Sequence, residues 1–295
     1  MKGLLITRRV AIAALSCFVI SICLIAICAA ALSKKQNPPP AKFTFVAYGD
    51  TRSDPAAHKR IISLIVRLKP EFVLQTGDLV DHGGSRSEWD EFRKITQPLR
   101  DAHIAYYPAQ GNHDIGPYYI HCVPKPWSSG NGLYYAFTRH NIRFIIVDCF
   151  EGFAPGSAQY RWLEGELAGA KARNPFTIVS FHEPPFSVGP HGDNFEVQRE
   201  LHPLFARYHV PLVFCGHDHL YYHTKRDGVV YVVTGGGGAP LYPPTNTQYA
   251  IPGDIYKTTY HVVRCDVTGD TIRCTAITPD NQVIDRFTVT NSRRP

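Results

Sequence analysis

The chain has 295 residues, of which 44% are hydrophobic and 19% charged, proportions that fit a folded globular protein and exclude a disordered or collagen-like one. Its formal charge of +6 belongs to one end: residues 1–42 carry six basic side chains and no acid, leaving 25 basic against 25 acidic residues in the rest. A domain built to hold duplex phosphate has a basic excess of its own, so no nucleic-acid partner is expected.

In chain order, residues 1–32 come first and read as a leader. Val10 to Leu32 is an uncharged, mostly apolar run of 23 residues behind Lys2, Arg8 and Arg9, and about 20 apolar residues span a bilayer core. The run exceeds the usual signal-peptide core of about 7–15 residues, yet Ala29-Ala30-Ala31 offers a small-residue cleavage site. A membrane anchor and a removed signal both fit, with the length favouring the anchor. In either case the positive flank stays inside and the remainder is exported. Residues 33–42, with three prolines, read as a stiff linker. No second linker interrupts 43–295, which is expected to form one domain.

Phe43–Tyr48 reads as an apolar strand. A helix opens at Asp54-Pro55, a good cap and first-turn pair, and its Ile61, Ile62, Ile65 and Leu68 recur at helical spacing. Strand Phe72–Gln75, helix Ser87–Leu99 and strand Ala105–Ala109 follow. Leu133–Phe137 and Arg143–Val147 make a strand pair. Next come helix Ser157–Ala172, strand Phe176–Ser180, helix Phe195–Tyr208 and strand Val210–Phe214. Val229–Thr234 and the segments from Tyr260 to Val289 add further strands, the last of them in hairpins. Such alternation predicts an α/β fold with a largely parallel sheet and antiparallel additions toward the end. In one hairpin Cys265 and Cys274 face each other across a Gly269-Asp270 loop, on a non-hydrogen-bonded pair where strands approach most closely. A disulfide and a simple thiol contact both fit that register.

Five polar clusters each follow a strand: Gly49-Asp50-Thr51-Arg52, Gly77-Asp78-Leu79-Val80-Asp81, Gly111-Asn112-His113-Asp114, His182-Glu183-Pro184 and Gly216-His217-Asp218-His219. The carboxyl ends of strands form the site crevice of open α/β sheets, so these residues are expected to converge. Two carboxylates, an amide oxygen and three imidazoles suit iron, manganese or zinc rather than calcium. His217 and His219, two apart on an extended segment, splay apart and could serve two ions.

The series GD…GD…GNHD…H…GHDH resembles the calcineurin-like metallophosphoesterases over roughly residues 43–220. Gly228 to Gly235, with the glycines to Gly238, is similar to the purple-acid-phosphatase side of that superfamily. The resemblance implies a four-layer αββα sandwich with two divalent transition metal ions at the strand ends. It implies that Asp78 bridges them, that Asn112, His182 and His217 complete one site, and that Asp50 and His219 hold the other. It further implies a hydrolase of small phosphate mono- or diesters, in which metal-activated hydroxide attacks phosphorus. His113 would assist, oriented by Asp114 through its other ring nitrogen.

One departure bears on the second metal site. Many superfamily members carry a histidine two residues after the first aspartate, whereas this chain has Arg52, which has no lone pair to offer. Arg52 could grip a substrate phosphate; His58 or Asp81 could supply the missing bond; or one ion could bind alone. His58 at the start of the first helix is otherwise a structural histidine. His191 lies in a loop that could reach substrate, and Tyr118, Tyr119, Trp127, Tyr221 and Tyr222 could wall a pocket. The Gly235–Gly238 run reads as a tight turn, since no lysine follows it as a nucleotide-binding loop requires. A metal-binding interaction module that has lost catalysis is the alternative to the enzyme.

Overall fold

The computed structural model describes residues 42–122, 128–140, 142–173 and 176–290. The leader, its expected anchor and nearly all of the linker lie outside the described residues, as does Trp127. Among the described residues no helix is long and apolar enough to cross a membrane.

Two mixed sheets form. The first contains β1 (Lys42–Tyr48), β2 (Phe72–Gln75), β3 (Ala105–Pro108), β12 (Val262–Thr268), β13 (Thr271–Ile277) and β14 (Val283–Thr290), in the order β14-β13-β12-β1-β2-β3. The second contains β4 (Ser129–Gly130), β5 (Tyr135–Arg139), β6 (Ile142–Ile146), β7 (Phe176–Ser180), β8 (Leu212–Cys215), β9 (Tyr221–Arg226), β10 (Val229–Thr234) and β11 (Ile255–Lys257), in the order β11-β9-β10-β8-β7-β6-β5-β4. Strands β1, β2 and β3 run parallel, as do β6, β7, β8 and β10. The additions, β12 to β14 included, are antiparallel.

Strand alternation assigns the layers. On β1, Phe45 and Ala47 point between the sheets, where they meet Phe72, Phe144 and Phe214. Val46 and Tyr48 point the other way, onto Ile61, Ile62 and Ile65 of α1 (Pro55–Leu68) and Ile95 and Leu99 of the next two helices. On the far face of the second sheet, Ile145, Val179 and Val213 cover Leu163 and Leu167 of α4 (Ala158–Arg173) and Val197 and Phe205 further on. The result is the αββα sandwich that the resemblance implied. Each buried Phe stabilises it by about 1.5–3 kcal/mol.

Most expected elements form, but β4, β9 and β11 are strands that the sequence does not predict, and two expected helices are each divided. The helix expected over Ser87–Leu99 is α2 (Arg86–Ile95) and α3 (Gln97–Asp101), and that over Phe195–Tyr208 is α5 (Phe195–Glu200) and α6 (His202–Arg207). Pro98 and Pro203 sit in the first turn of the second member of each pair. A proline has no N–H for the preceding turn and its ring crowds that turn's carbonyl, so the helix restarts there. At α1 the expected cap holds, the Asp54 side chain accepting from the N–H groups of Ala56 and Ala57 at 3.0 Å each.

Candidate metal centre

Strands β1, β2 and β3 lead into Asp50, Asp78 and Asn112, while β7 and β8 lead into His182 and the turn His217-Asp218-His219. The turns are tight: φ is 58° at Asp50, 58° at Asp78 and 71° at His217, left-handed values that cost a residue bearing a Cβ. Local bonds hold them. The Asp50 carboxylate accepts the His217 N–H at 3.0 and 3.2 Å, and Asp78 Oδ1 accepts the His113 N–H at 3.1 Å. At Gly111 a Cβ would come within 2.2 Å of Asp78 N and Oδ1, so only glycine lets β3 deliver Asn112 beside β2.

Four donor atoms converge. His182 Nε2 lies 3.0 Å from Asn112 Oδ1, 3.2 Å from His217 Nδ1 and 3.4 Å from Asp78 Oδ1. The other His182 nitrogen donates to the Thr76 carbonyl at 2.9 Å, which leaves Nε2 with its lone pair facing the cluster. His219 repeats the arrangement: Nδ1 donates to the Pro240 carbonyl at 2.6 Å. Its Nε2 is buried without a hydrogen-bond partner and lies 3.6 Å from Asp50 Oδ1. Backbone carbonyls that fix the outer nitrogen of an imidazole in this way are the usual support of a metal-ligating histidine.

The electrostatics agree. Burial, then the charge of Asp78, raises Asp50 well above the ordinary carboxylate range. Burial, then the neighbouring imidazoles, lowers His217 to about 2, and burial lowers His219 to about 4. Neutral imidazoles beside crowded carboxylates make a cavity that favours a cation. Ligand atoms of Asp50, Asp78 and His182 lie within 4.8 Å of one another. A divalent transition ion therefore fits the residues present.

His113 stands beside the cluster rather than in it, its ring about one third exposed and its Nε2 4.0 Å from Asp78 Oδ2. The expectation for Asp114 is corrected. The His113 Nδ1 meets the Asp81 carbonyl at 2.8 Å, not the Asp114 side chain. Asp114 instead accepts the N–H groups of Leu79, Val80 and Gly111 at 2.8, 3.2 and 2.9 Å, lashing the second and third turns together. Arg52 donates through Nε to Asp78 Oδ2 at 3.1 Å and through Nη1 to Asp81 Oδ1 at 3.0 Å. His58 is not brought to the donors. It is buried behind the first turn, 3.4 Å from the Tyr48 hydroxyl, where burial lowers it to about 3, and with Arg52 it lines a small cavity of about 110 Å³. As for the aromatic wall, Tyr119, Tyr221 and Tyr222 belong to the core.

Two groups emerge that the sequence signalled faintly. The His191 ring lies tilted against that of His217, with centroids 4.0 Å apart, and its Nδ1 meets Asp218 Oδ1 at 2.9 Å. The bond to Asp218 raises His191 above its usual range. Asp218 is fully buried and also accepts from the Ser187 hydroxyl and the His191 N–H; the acid between the two candidate histidines His217 and His219 was the available sign. The Tyr242 ring stacks on His219 at 4.0 Å, a contact across 23 residues that no local pattern marks. The glycine run proves to be a close approach: Gly237 N–H donates to Gly49 O, and Ala239 N–H to Asp50 O, each at 2.8 Å.

Comparison with known proteins sets this site in context. The family model for calcineurin-like phosphoesterases matches residues 43–221. Tartrate-resistant acid phosphatase type 5 of Oryctolagus cuniculus is 27% identical over 259 residues, 73% of this chain and 79% of that protein. Fe(3+)-Zn(2+) purple acid phosphatase 12 of Arabidopsis thaliana is 29% identical over 215 residues, 63% of this chain and 44% of that protein. Among solved structures, the yellow lupin purple acid phosphatase PPD1 shares the fold, with a TM-score of 0.71 at 22% identity over 85% of this chain and 54% of that one. The chain spans about half the length of these plant relatives.

Proposed function

The chain belongs to the calcineurin-like phosphoesterase family, and on that premise we propose that it is a metal-dependent hydrolase of small phosphate mono- or diesters, acting outside the cytoplasm. The observation that carries this reading is the convergence of four acceptor-type atoms, His182 Nε2, His217 Nδ1, Asn112 Oδ1 and Asp78 Oδ1, with the unpartnered His219 Nε2 beside Asp50.

Asp78, Asn112, His182 and His217 would hold one divalent transition ion, and Asp50, Asp78 and His219 a second. Bound there, such a pair supplies Lewis-acid activation of water and neutralises charge on the phosphoryl oxygens. The rest falls to side chains. With Nδ1 tied to the Asp81 carbonyl, the His113 ring keeps a fixed orientation and directs Nε2 toward the leaving oxygen, where it delivers a proton. Arg52, steadied by Asp78 and Asp81, keeps Nη2 for a phosphoryl oxygen. His191, steadied by Asp218, lies against His217 and could reach a bound substrate. Export rests on the leader, residues 1–32, with its basic flank and apolar run.

The test is the metal content of the purified protein together with hydrolysis of p-nitrophenyl phosphate and bis(p-nitrophenyl) phosphate. Bound transition metal and turnover are expected. Neither metal nor hydrolysis with any added divalent ion would end the enzyme reading. The second reading, a metal-binding interaction module without catalysis, draws on the hold Arg52 has on Asp78; the well-placed His113 speaks against it.

A further inference from the structure

We infer that Cys265 and Cys274 form a reversible cross-strand disulfide that fastens the C-terminal hairpin to the strand leading into Asp50. Three observations carry it. In the register of β12 and β13, Cys265 lies directly opposite Cys274, three residue pairs in from the Thr268–Thr271 pair that closes the turn. The two sulfurs are 3.5 Å apart and are not bonded to each other in the structure. Both residues are buried, 0% and 1% exposed, so each thiol has the other as its neighbour and no solvent between them.

Counting from the turn, the pair is non-hydrogen-bonded, and in such pairs the Cα atoms stand about 4.5 Å apart, inside the range a disulfide spans. Closing the bond needs rotation of two short side chains and no displacement of strands. The reaction is exchange with an external disulfide. One thiolate attacks that disulfide and releases its first thiol; the second cysteine then displaces the remaining sulfur, releasing the second thiol. The pair gives up two electrons and two protons, and the external disulfide takes them. Burial raises the Cys265 thiol, so exchange proceeds while the hairpin is open, during folding or local unfolding.

The placement gives the bond a purpose. The family match ends at residue 221, and β12 to β14 lie beyond it. Yet β12 pairs with β1 from Val263 to Thr268, Phe45 opposite Cys265, and β1 runs directly into Asp50. A bridge between β12 and β13 keeps this added flank of the sheet in register.

Trypsin isolates the question, because Arg264, Arg273 and Arg286 place the two cysteines on separate peptides, 265–273 and 274–286. Full-length protein is equilibrated with oxidised glutathione, alkylated in denaturant and digested without reductant. The expected product is the linked pair of peptides, which separates on reduction. Recovery of both as singly alkylated or glutathionylated peptides would overturn the proposal. Reductant should also lower the melting temperature of the oxidised protein by roughly 5–10 °C. It should leave the double variant Cys265→Ser, Cys274→Ser unmoved. A linked pair with no such shift would overturn the fastening role.

Discussion

At the scale of single residues, the proposed function separates groups that would bind an ion from groups that would handle a proton or a phosphate. His113 has no part in the donor cluster, so His113→Ala should lower kcat by about 10²–10⁴-fold while the metal content, read by mass spectrometry, stays at the wild-type value. Full activity in that variant would remove His113 from proton transfer. Arg52 answers to a different measurement. Its guanidinium already meets two carboxylates, and the free nitrogen is the one available to substrate. Arg52→Ala should raise KM by about tenfold or more, the worth of a charged hydrogen bond. Arg52→Lys should recover only part of it, lacking the fork. An unchanged KM in the alanine variant would show that the arginine serves the carboxylates alone. The sequence could identify Arg52 as a departure but not its partners, since Asp78 and Asp81 reach it from another strand. The same limit misled the reading of Asp114. Adjacency to His113 suggested a pair, but in the one-turn helix at Asn112–Asp114 the two side chains point apart, and three backbone N–H groups claim the carboxylate.

At the scale of elements, β2 and β7 appear with the bounds the sequence suggests, because a short apolar run between polar turns leaves little latitude. The broken helices were not legible in the same way. Apolar periodicity runs on across Thr96 and Leu201, and a proline two residues later is as compatible with a kink as with a restart. The turns after the strands combine both cases. Their glycines are visible in the sequence, but what they lie against is not. The turn between β3 and Asn112 offers the sharpest test. Gly111→Ala puts a methyl carbon onto the backbone and carboxylate of Asp78, so the two turns must separate. Loss of bound metal is expected with far-UV circular dichroism retained. A variant that loads metal as the wild type does would mean that the turn yields more easily than its contacts imply.

At the scale of the whole molecule, the sequence indicated strand ends as the meeting place because parallel strands point their carboxyl ends one way. It could not tell how the donors divide between layers. In the structure Asp50, Asp78 and Asn112 come from the first sheet, and His182, His217 and His219 from the second. An ion held by both is bound by the closed sandwich and not by the unfolded chain, so it adds to stability by mass action. Chelation should lower the melting temperature by roughly 5–10 °C when free metal had stood near 100 times its Kd, about 2.7 kcal/mol. Restored metal should return it. A melting temperature indifferent to chelator would mean that no ion is bound tightly to the folded protein.

That division of donors also sets an order in time. A ribosome delivers the two carboxylates and the amide first, and the last imidazole, His219, only after about three quarters of the chain. Before His182 emerges, the growing polypeptide offers from this set only oxygen ligands, which hold a transition ion poorly. Full-strength capture becomes available once the second sheet has been made and has docked on the first. A chain released before His219 would therefore lack part of the proposed ligand set, and full uptake of the ions would mark a molecule whose synthesis has passed that residue.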